Sequence, residues 1–393
     1  MTTRAYLDHN ATAPVRPEAA AAVVRALSLV GNPSSVHGEG RRAHAMIEEA
    51  RADVARLVGA KPAEVIFTSG GTEAANLAIH SAIAALGVER LIISAIEHDC
   101  IRASAAASGL PVDILPVLSN GVADLAALAD LLAKPGKALV ALMLANNETG
   151  VIQPVGKATL LAHEAGALML CDTIQAAARI SVDVKALGVD MALLSAHKIG
   201  GPQGTGALVL REGLAFEPLI RGGGQEKRRR AGTENVSGTA GFGAAARLAL
   251  GDDALMPSVA ALRDTLESAL RAAVPDLVVF GADAPRLPNT SLFAVSGLTA
   301  ETLIVALDLD GLAVSAGSAC SSGKVTRSHV LAAMGVADDL AGGAIRVSLG
   351  TGNTGADIEK LVAGWTRYVA RARDKDQTAK ANAASSAFAE VEH

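Results

Sequence analysis

Lys198 and Asp172 are the two residues of this sequence whose types and positions best suit cofactor chemistry. Lys198 comes just after a short apolar segment that predicts a buried strand, and Asp172 follows another segment of the same kind. A lysine amine can hold pyridoxal phosphate (PLP) as a Schiff base, while an ionised acid pairs with the nitrogen of its pyridine ring. The pair therefore predicts a PLP enzyme that acts on an amino acid.

Glycines and a histidine that follow two other predicted strands could contact the same cofactor. Gly71 and Thr72 open a predicted helix, where the first N–H groups and the threonine hydroxyl could bind a phosphate. An ordinary glycine turn before a helix is the alternative. His98 also follows a strand, where its ring could lie over an aromatic cofactor or transfer a proton. The alternative for His98 is a loop histidine with structural partners.

Three further polar residues each have two interpretations. Gln175 could reach the phenolic oxygen of the cofactor. For Asp172, three residues earlier, the alternative to a cofactor contact is a helix N-cap. Asn147, the second of two adjacent asparagines, is an amide donor towards cofactor or substrate, or else a turn residue. Arg346 lies in an apolar, strand-like segment, so its guanidinium must pair with a substrate carboxylate or with a structural acid.

Cys320 stands in a run of small residues, from Ser315 to Lys324, that predicts an exposed and mobile loop. A thiol in such a loop is a better nucleophile candidate than one buried among apolar residues, and a chance surface thiol is the alternative. The chain has three cysteines and no CxxC pair. This pattern favours free thiols in a reducing cytoplasm over a disulfide framework.

Short apolar segments alternate with Ala-rich helical patterns through residues 15–253. The alternation predicts one α/β domain with a mainly parallel sheet, covered by helices on both faces. A second, smaller unit is predicted for residues 254–373 together with residues 1–14. The polar segment 374–393 is predicted to be a mobile tail. The predicted strands are 65–68, 90–94, 138–144, 167–171, 191–195 and 206–210 in the first unit, and 277–280, 289–295 and 345–348 in the second.

The composition excludes several classes of protein. Of the 393 residues, 50% are hydrophobic but only 2% are aromatic, so the core must consist of aliphatic side chains. The net charge of −5 gives no basic excess, and we expect no direct contact with nucleic acid. The longest apolar runs fall far short of the ~20 residues of a membrane span, and no secretory signal is apparent. A cytoplasmic protein without a membrane partner is expected.

Taken in order, the motifs resemble the NifS/IscS-like cysteine desulfurases, which belong to the class V group of fold-type I PLP enzymes. The resemblance extends from Tyr6 to about Gly350, nearly the whole chain. Its most specific landmark is the segment with Cys320, because aminotransferase relatives lack that cysteine. The resemblance implies a large PLP-binding domain with a mainly parallel, seven-stranded sheet and a smaller α+β C-terminal domain. The landmarks are Gly31 to His37, Thr68 to Glu73, Glu97-His98, Asn146 to Glu148, Ser195 to Lys198, Arg230 to Asn235 and Ser315 to Cys320.

The resemblance also implies a role for each candidate residue. It implies a homodimer with shared sites that converts L-cysteine to L-alanine and transfers the sulfur to an enzyme cysteine as a persulfide. The acceptor would be an iron–sulfur scaffold or a tRNA-thiolation protein. A selenocysteine lyase or an aminotransferase of the same group is the alternative. By this resemblance, Lys198 would form the Schiff base and remove the α-proton, Asp172 would pair with the pyridine nitrogen, Gln175 would contact the phenolic oxygen, and His98 would stack on the ring. The phosphate would be bound by Thr72, Ser195 and His197, and Thr233 would bind the phosphate in the partner subunit. Asn147 and Arg346 would bind the substrate carboxylate, and Cys320 would accept the sulfur.

Two features of the sequence depart from the pattern of this family. Thr173 stands where relatives usually carry alanine, and residues 227–230 form a more basic run than usual. The number of residues between Cys320 and Ser328 resembles that in the long-loop desulfurases. It favours an extended loop that transfers sulfur to a protein acceptor.

Overall fold

The structure is a computed structural model that describes residues 4–317 and 327–391, with side chains described as far as residue 374. The strands are β1 (Ala5–Tyr6), β2 (Val65–Thr68), β3 (Arg90–Ser94), β4 (Val112–Leu115), β5 (Ala138–Ala141), β6 (Leu168–Asp172), β7 (Met191–Ser195), β8 (Gly206–Leu210), β9 (Val278–Val279), β10 (Thr290–Ala294), β11 (Leu312–Ala313), β12 (Ser315–Ala316) and β13 (Ile345–Ser348).

Helices connect and cover these strands. They are α1 (Pro17–Leu27), α2 (Gly38–Leu57), α3 (Gly71–Leu86), α4 (Asp99–Ala106), α5 (Leu125–Leu132), α6 (Val155–Glu164), α7 (Val184–Leu187), α8 (Val236–Ala249), α9 (Met256–Ala273), α10 (Ala300–Leu309), α11 (His329–Ala333), α12 (Asp338–Ala341) and α13 (Gly355–Val391). Short 3-10 turns cover Pro62–Glu64, Ala196–Lys198, Gln225–Arg228 and Asp252–Ala254.

The larger sheet has seven strands in the order β2-β8-β7-β6-β5-β3-β4. Only β8 runs antiparallel to its neighbours β2 and β7. Two apolar clusters, one on each face, bury this sheet beneath helices, which explains the continuous apolar strands. The prediction of a mainly parallel, seven-stranded sheet is thereby confirmed. The edge strand β4 was not predicted from the sequence, because Asp113 interrupts its apolar residues and Leu115 alone among its four residues is buried.

The smaller unit contains a four-stranded antiparallel sheet in the order β12-β13-β10-β9. Strand β1 pairs in parallel with β11, so the N-terminal segment packs on this unit. Its core includes Phe293 and Trp365, whose rings meet edge to face with centroids 5.6 Å apart. The predicted α+β character of the smaller unit is confirmed, while the residue boundaries between the two units stay a prediction.

Helix α13 includes most of the segment that was predicted to be a mobile tail. Its backbone is helical as far as Val391. Alanine has the highest intrinsic helix propensity, and the segment is rich in alanine although it lacks an apolar stripe. Whether this segment moves stays a prediction. Within the described ranges, no helix combines the length and the apolar character that a membrane span requires.

The parallel strands end at one edge of the larger sheet, and the candidate site residues follow them there. The N-terminal segment crosses this edge and ties it to the smaller unit. The backbone N–H of Asn10 donates to Ser348 Oγ at 2.9 Å, and Asn10 Nδ2 donates to Thr290 Oγ1 at 2.9 Å. The two units therefore meet at the edge where β3, β6 and β7 end.

A buried ion pair between Arg51 and Glu226 supports a strained turn beside this edge. The guanidinium binds both carboxylate oxygens at 2.7 and 2.8 Å, and its carbon lies 4.8 Å from the ring centre of Phe67. Glu226, Lys227 and Arg228 have φ angles of 45°, 57° and 68°, which are unfavourable for residues other than glycine. The buried pair holds these residues in that conformation.

Replacement of Glu226 by alanine removes the buried carboxylate of Arg51 and leaves, among the described residues, only the half-exposed Glu48, 2.9 Å from Arg51 Nε, as its acidic partner. We expect Glu226→Ala to lower the free energy of unfolding by about 3–5 kcal/mol, the usual cost of breaking a buried pair. Glu217→Ala is the control, because Glu217 and Arg221 form a pair whose side chains are 40% and 67% exposed. The control should lose less than about 1 kcal/mol. Urea denaturation followed by circular dichroism measures the free energy of unfolding of each variant. Equal losses of this free energy in the two variants would contradict a stabilising role of the buried pair.

Candidate active site

Lys198 lies at the end of a short turn that directly follows β7. Its Nζ atom donates to the carbonyl oxygens of Asn10 at 2.6 Å and Ala11 at 2.8 Å. Burial, with the nearby charges of Arg346 and Arg179, lowers the pKa of Lys198 from 10.5 to about 8. A substantial fraction of this amine is therefore neutral near pH 7 to 8, as a nucleophile or a base requires.

Asp172 ends the neighbouring strand β6, and it is 7% exposed. Burial raises the pKa of Asp172, while a hydrogen bond from the N–H of Ile174 and the charges of His98 and Lys198 lower it. The Ile174 N–H lies 2.9 Å from Asp172 Oδ1. A cation against the buried carboxylate would keep it ionised, and a protonated pyridine nitrogen is such a cation.

Thr173, which departs from the family pattern, is accommodated between β6 and β7. Its hydroxyl donates to the carbonyl oxygen of Leu193 at 2.7 Å, and its side chain is fully buried. A buried hydroxyl with a hydrogen bond costs little, whereas an unsatisfied one is destabilising. Thr173 therefore adds a cross-strand contact behind Asp172 and leaves the carboxylate in place.

His98 caps the N-terminus of α4 just beyond β3. Its Nδ1 atom accepts a hydrogen bond from the backbone N–H of Cys100 at 3.2 Å. The charge of His98 acts on Asp172, so the two side chains lie near each other at the sheet edge. The structure shows the structural cap, and the predicted contact of the His98 ring with a cofactor stays a prediction.

The start of α3 offers hydrogen-bond donors without a side-chain cap. Gly70 occupies the N-cap position, and no side chain in the described part of the chain accepts from the first N–H groups of the helix. A Cβ atom on Gly71 would collide with Ile174 and lie 3.8 Å from Ser195 Cβ, so Ser195 adjoins the helix start. Uncapped N–H groups and the helix dipole attract an anion. The site therefore suits a phosphate beside Thr72, the second residue of the helix.

His197 lies in the same turn as Lys198. Its Nδ1 atom is 3.2 Å from Thr12 Oγ1. Burial and the charge of Lys198 lower the pKa of His197 to about 4, so its ring is neutral at physiological pH. A neutral imidazole can donate one hydrogen bond to an anion without adding positive charge beside Lys198.

Gln175 is 6% exposed and has one buried atom without a partner. Its Nε2 atom donates to the Asn10 carbonyl oxygen at 3.0 Å, while Oε1 has no hydrogen bond among the described residues. A buried acceptor without a donor costs about 1–3 kcal/mol. The phenolic hydroxyl group of PLP, when protonated, could supply the missing O–H donor. This orphaned atom, the uncapped helix start and the buried Asp172 together fit the chemical groups of PLP.

Arg346 projects from β13 and is 4% exposed. Its Nη2 atom donates to Asp8 Oδ1 at 2.8 Å, and Nη1 donates to the Asn147 carbonyl oxygen at 3.0 Å. Its Nε atom is buried without a partner among the described residues. The structural salt bridge therefore exists, and one donor of the guanidinium remains for a further acceptor. Asn147 contacts Arg346 through its backbone, whereas the sequence analysis considered its amide.

Sequence analysis missed three residues that hold the site together. Asp8 pairs with Arg346, and the Asn10 carbonyl oxygen accepts from both Lys198 and Gln175. Arg179 is buried and donates to the carbonyl oxygens of Gln175 at 2.8 Å and His9 at 3.2 Å. The available signal was the polar motif Asp8-His-Asn10, which precedes the first helix and has no apolar pattern.

Thr233 is exposed and lies near the start of α3 of the same chain. With Thr68 and Ser69 it lines a cavity of about 200 Å³. In the same segment, Arg230 Nε pairs with Glu73 Oε1 at 2.9 Å, within the first turn of α3. The segment 230–235 therefore lies beside the proposed phosphate position, and its predicted contact with a partner subunit stays a prediction.

Cys320 lies in the segment 318–326, which is outside the described residues. The other two cysteines are described, and both are buried. Burial raises the pKa of the Cys100 and Cys171 thiols far above its usual range. A thiol that stays protonated is a poor nucleophile, so neither residue suits covalent chemistry.

Comparison with known proteins gives one consistent result. The model of the family "Aminotransferase class-V" matches residues 5–361. The cysteine desulfurase of Cereibacter sphaeroides is 45% identical over 366 residues, which cover 91% of this chain and 94% of the relative. A solved NifS-like protein from Rickettsia africae ESF-5 is 35% identical, with a TM-score of 0.85 over 93% of this chain and 99% of that one. The structure of SspA in complex with cysteine is 28% identical, with a TM-score of 0.76 over 88% and 99% of the two chains.

These matches extend over both units of the chain and include the candidate site. They confirm the predicted resemblance to the NifS/IscS-like proteins and the predicted fold-type I architecture. The family match begins at the N-terminal strand β1, close to Asp8 and Asn10, and ends within α13. The chain therefore belongs to the class-V aminotransferase family and, within that family, to the cysteine desulfurases.

Proposed function

We propose that this protein uses PLP to convert L-cysteine to L-alanine and takes up the sulfur as a persulfide on Cys320. The observation that carries the proposal is the position of Lys198 and Asp172 at the ends of adjacent strands, beside an uncapped helix start and the orphaned Gln175 oxygen. When bound, PLP would supply an electron sink for the charge left on the substrate carbon. The complex of SspA with cysteine supports this choice of substrate.

Each end of the cofactor would have its own set of residues. Asp172 would keep the pyridine nitrogen protonated, Gln175 would bind the phenolic oxygen and His98 would stack on the ring. Their positions at the ends of β3 and β6 support this assignment. The phosphate would lie at the start of α3, where its residues add donors to the helix dipole. The proposed phosphate residues are Gly71, Thr72, Ser195 and His197, with Thr233 from a partner subunit.

Lys198 would perform the proton transfer, and Arg346 with Asn147 would orient the substrate carboxylate. The amine of Lys198 has its pKa lowered to about 8, so it can accept the α-proton of the amino acid near neutral pH. The orphaned Nε atom of Arg346 can donate to a carboxylate oxygen. A substrate carboxylate bound by Arg346 would place the Cα–H bond next to the Lys198 amine, and this proximity is the main requirement for proton removal.

The sulfur step would use Cys320 as the nucleophile. An electron pair of its thiolate attacks the substrate sulfur, and an S–S bond forms. The bond between substrate sulfur and Cβ breaks, its electron pair stays with the carbon, and a proton completes alanine. The enzyme then holds a persulfide, with no external oxidant or reductant consumed. We further propose a cytoplasmic homodimer that passes this sulfur to an iron–sulfur scaffold or a tRNA-thiolation protein.

Cys320→Ala should abolish persulfide and sulfide formation from L-cysteine and keep the PLP absorbance near ~420 nm. The reason is that the variant loses the nucleophile and keeps every residue proposed to bind the cofactor. Cys100→Ala is the matched control, because Cys100 is a buried cysteine with a raised pKa, and its variant should retain activity. Alanine and sulfide are measured with a thiol reductant present. Full sulfide release by Cys320→Ala would refute the role of Cys320.

The lowered pKa of Lys198 predicts how cofactor-free protein captures PLP at different pH values. Only the neutral amine attacks the cofactor aldehyde, so the capture rate should rise roughly tenfold per pH unit below pH 8 and level off above it. Stopped-flow absorbance measures this rate. A lysine with the ordinary pKa of 10.5 would give a rate that still rises at pH 10, and that outcome would contradict the prediction. Lys198→Ala, the control, should give no capture signal at any pH.

A further inference from the structure

Glu148 is a buried acid that the proposed chemistry does not use. It is 3% exposed, and its Oε2 atom accepts a hydrogen bond from Ser328 Oγ at 2.6 Å. The same oxygen would lie 3.1 Å from a Cβ atom placed on Gly317. Gly317 and Ser328 stand on either side of the segment 318–326, so Glu148 touches the described chain before and after the segment with Cys320.

The chain after this segment is bonded to the turns that carry two candidate site residues. Ser328 caps α11, because its Oγ atom also accepts from the Leu331 N–H at 3.0 Å. The next residue, His329, has Nε2 3.0 Å from the carbonyl oxygen of Glu97, beside His98. Glu148 itself is adjacent to Asn147. Ser328 and His329 therefore link the start of α11 to two parts of the site: Ser328 to Glu148, next to Asn147, and His329 to Glu97, next to His98.

The turn that holds Glu148 is itself well fixed. Asn146 is fully buried, and its Oδ1 atom accepts from the N–H groups of Glu148 and Thr149, both at 2.9 Å. The carbonyl oxygen of Asn147 accepts from Arg346, the proposed substrate clamp. A short bonded path therefore leads from Ser328 through Glu148 to Arg346. Groups held in this way can fix a reacting atom within the narrow range that catalysis needs.

We propose that Glu148 is a positioning residue that fixes both ends of the segment with Cys320 beside the Asn147–Arg346 pair, and so sets the approach of the thiol to the substrate sulfur. This inference rests on the proposed role of Cys320. What the position requires is a compact hydrogen-bond acceptor for Ser328 close to Gly317. Burial raises the pKa of Glu148 to about 7, so part of its population is neutral near physiological pH and can still accept this bond.

Alanine and glutamine variants of Glu148 separate positioning from general stability. Glu148→Ala should lower kcat for alanine formation by about 10- to 100-fold, because the thiol is misplaced. KM for L-cysteine, PLP absorbance and the absorbance change on cysteine addition should stay as in wild type, since cofactor and substrate contacts remain. Glu148→Gln keeps an acceptor of the same size and should restore most of kcat. Ser328→Ala should reproduce the loss.

Asp124→Ala is the matched control for the helix cap that Ser328→Ala also removes. Asp124 caps α5 through two backbone N–H groups at 3.0 and 3.1 Å, and this variant should keep wild-type kcat. If Glu148→Ala fails to fold, Ser328→Ala carries the test. Wild-type kcat in both variants, or a loss accompanied by a raised KM or lost PLP, would overturn the inference. An active Cys320→Ala would instead overturn the proposed function, so the two failures are distinguishable.

Discussion

The carbonyl oxygen of Asn10 is the acceptor on which the arrangement of the site depends. It receives hydrogen bonds from Lys198 Nζ at 2.6 Å and from Gln175 Nε2 at 3.0 Å. The side chain of Asn10 at the same time bonds Thr290 and Asn289 in the smaller unit. One residue thus places the reactive amine of the larger unit against the sheet of the smaller one. The geometry of the candidate site therefore depends on the contact between the units.

The contact between the units also changes the protonation of the site, because it buries three basic side chains close to one another. Burial lowers the pKa of Lys198 most, and the nearby guanidinium groups of Arg346 and Arg179 lower it further. Asp8 and Asp172 act in the opposite direction but do not cancel this effect. A lysine at a solvated surface would stay protonated at neutral pH. Burial with like charges thus leaves part of the Lys198 amine neutral near pH 8, as its proposed role requires.

Local patterns in the sequence predicted much of the fold and part of the site. The strand that ends at Asp172 and the strand that precedes the turn with Lys198 are continuous apolar runs, so their ends could be located closely. Ile114, by contrast, is 54% exposed on the edge strand β4, and such a strand leaves no apolar run to detect. The pairing of Arg346 with Asp8 spans 338 positions along the chain. No local periodicity records a contact of that kind, which is why Asp8 and Asn10 were missed.

Arg346 shows why the two interpretations of one residue need not compete. A buried guanidinium without an acid is strongly destabilising, so Asp8 has to be present whether or not a substrate is bound. Ser315 Oγ donates to the second oxygen of Asp8 at 2.8 Å, which holds that carboxylate in place. The planar guanidinium has five N–H donors, and the described contacts leave Nε unused. The proposed substrate carboxylate would therefore add to the existing salt bridge without breaking it, so the structural role of Arg346 is compatible with the proposed one.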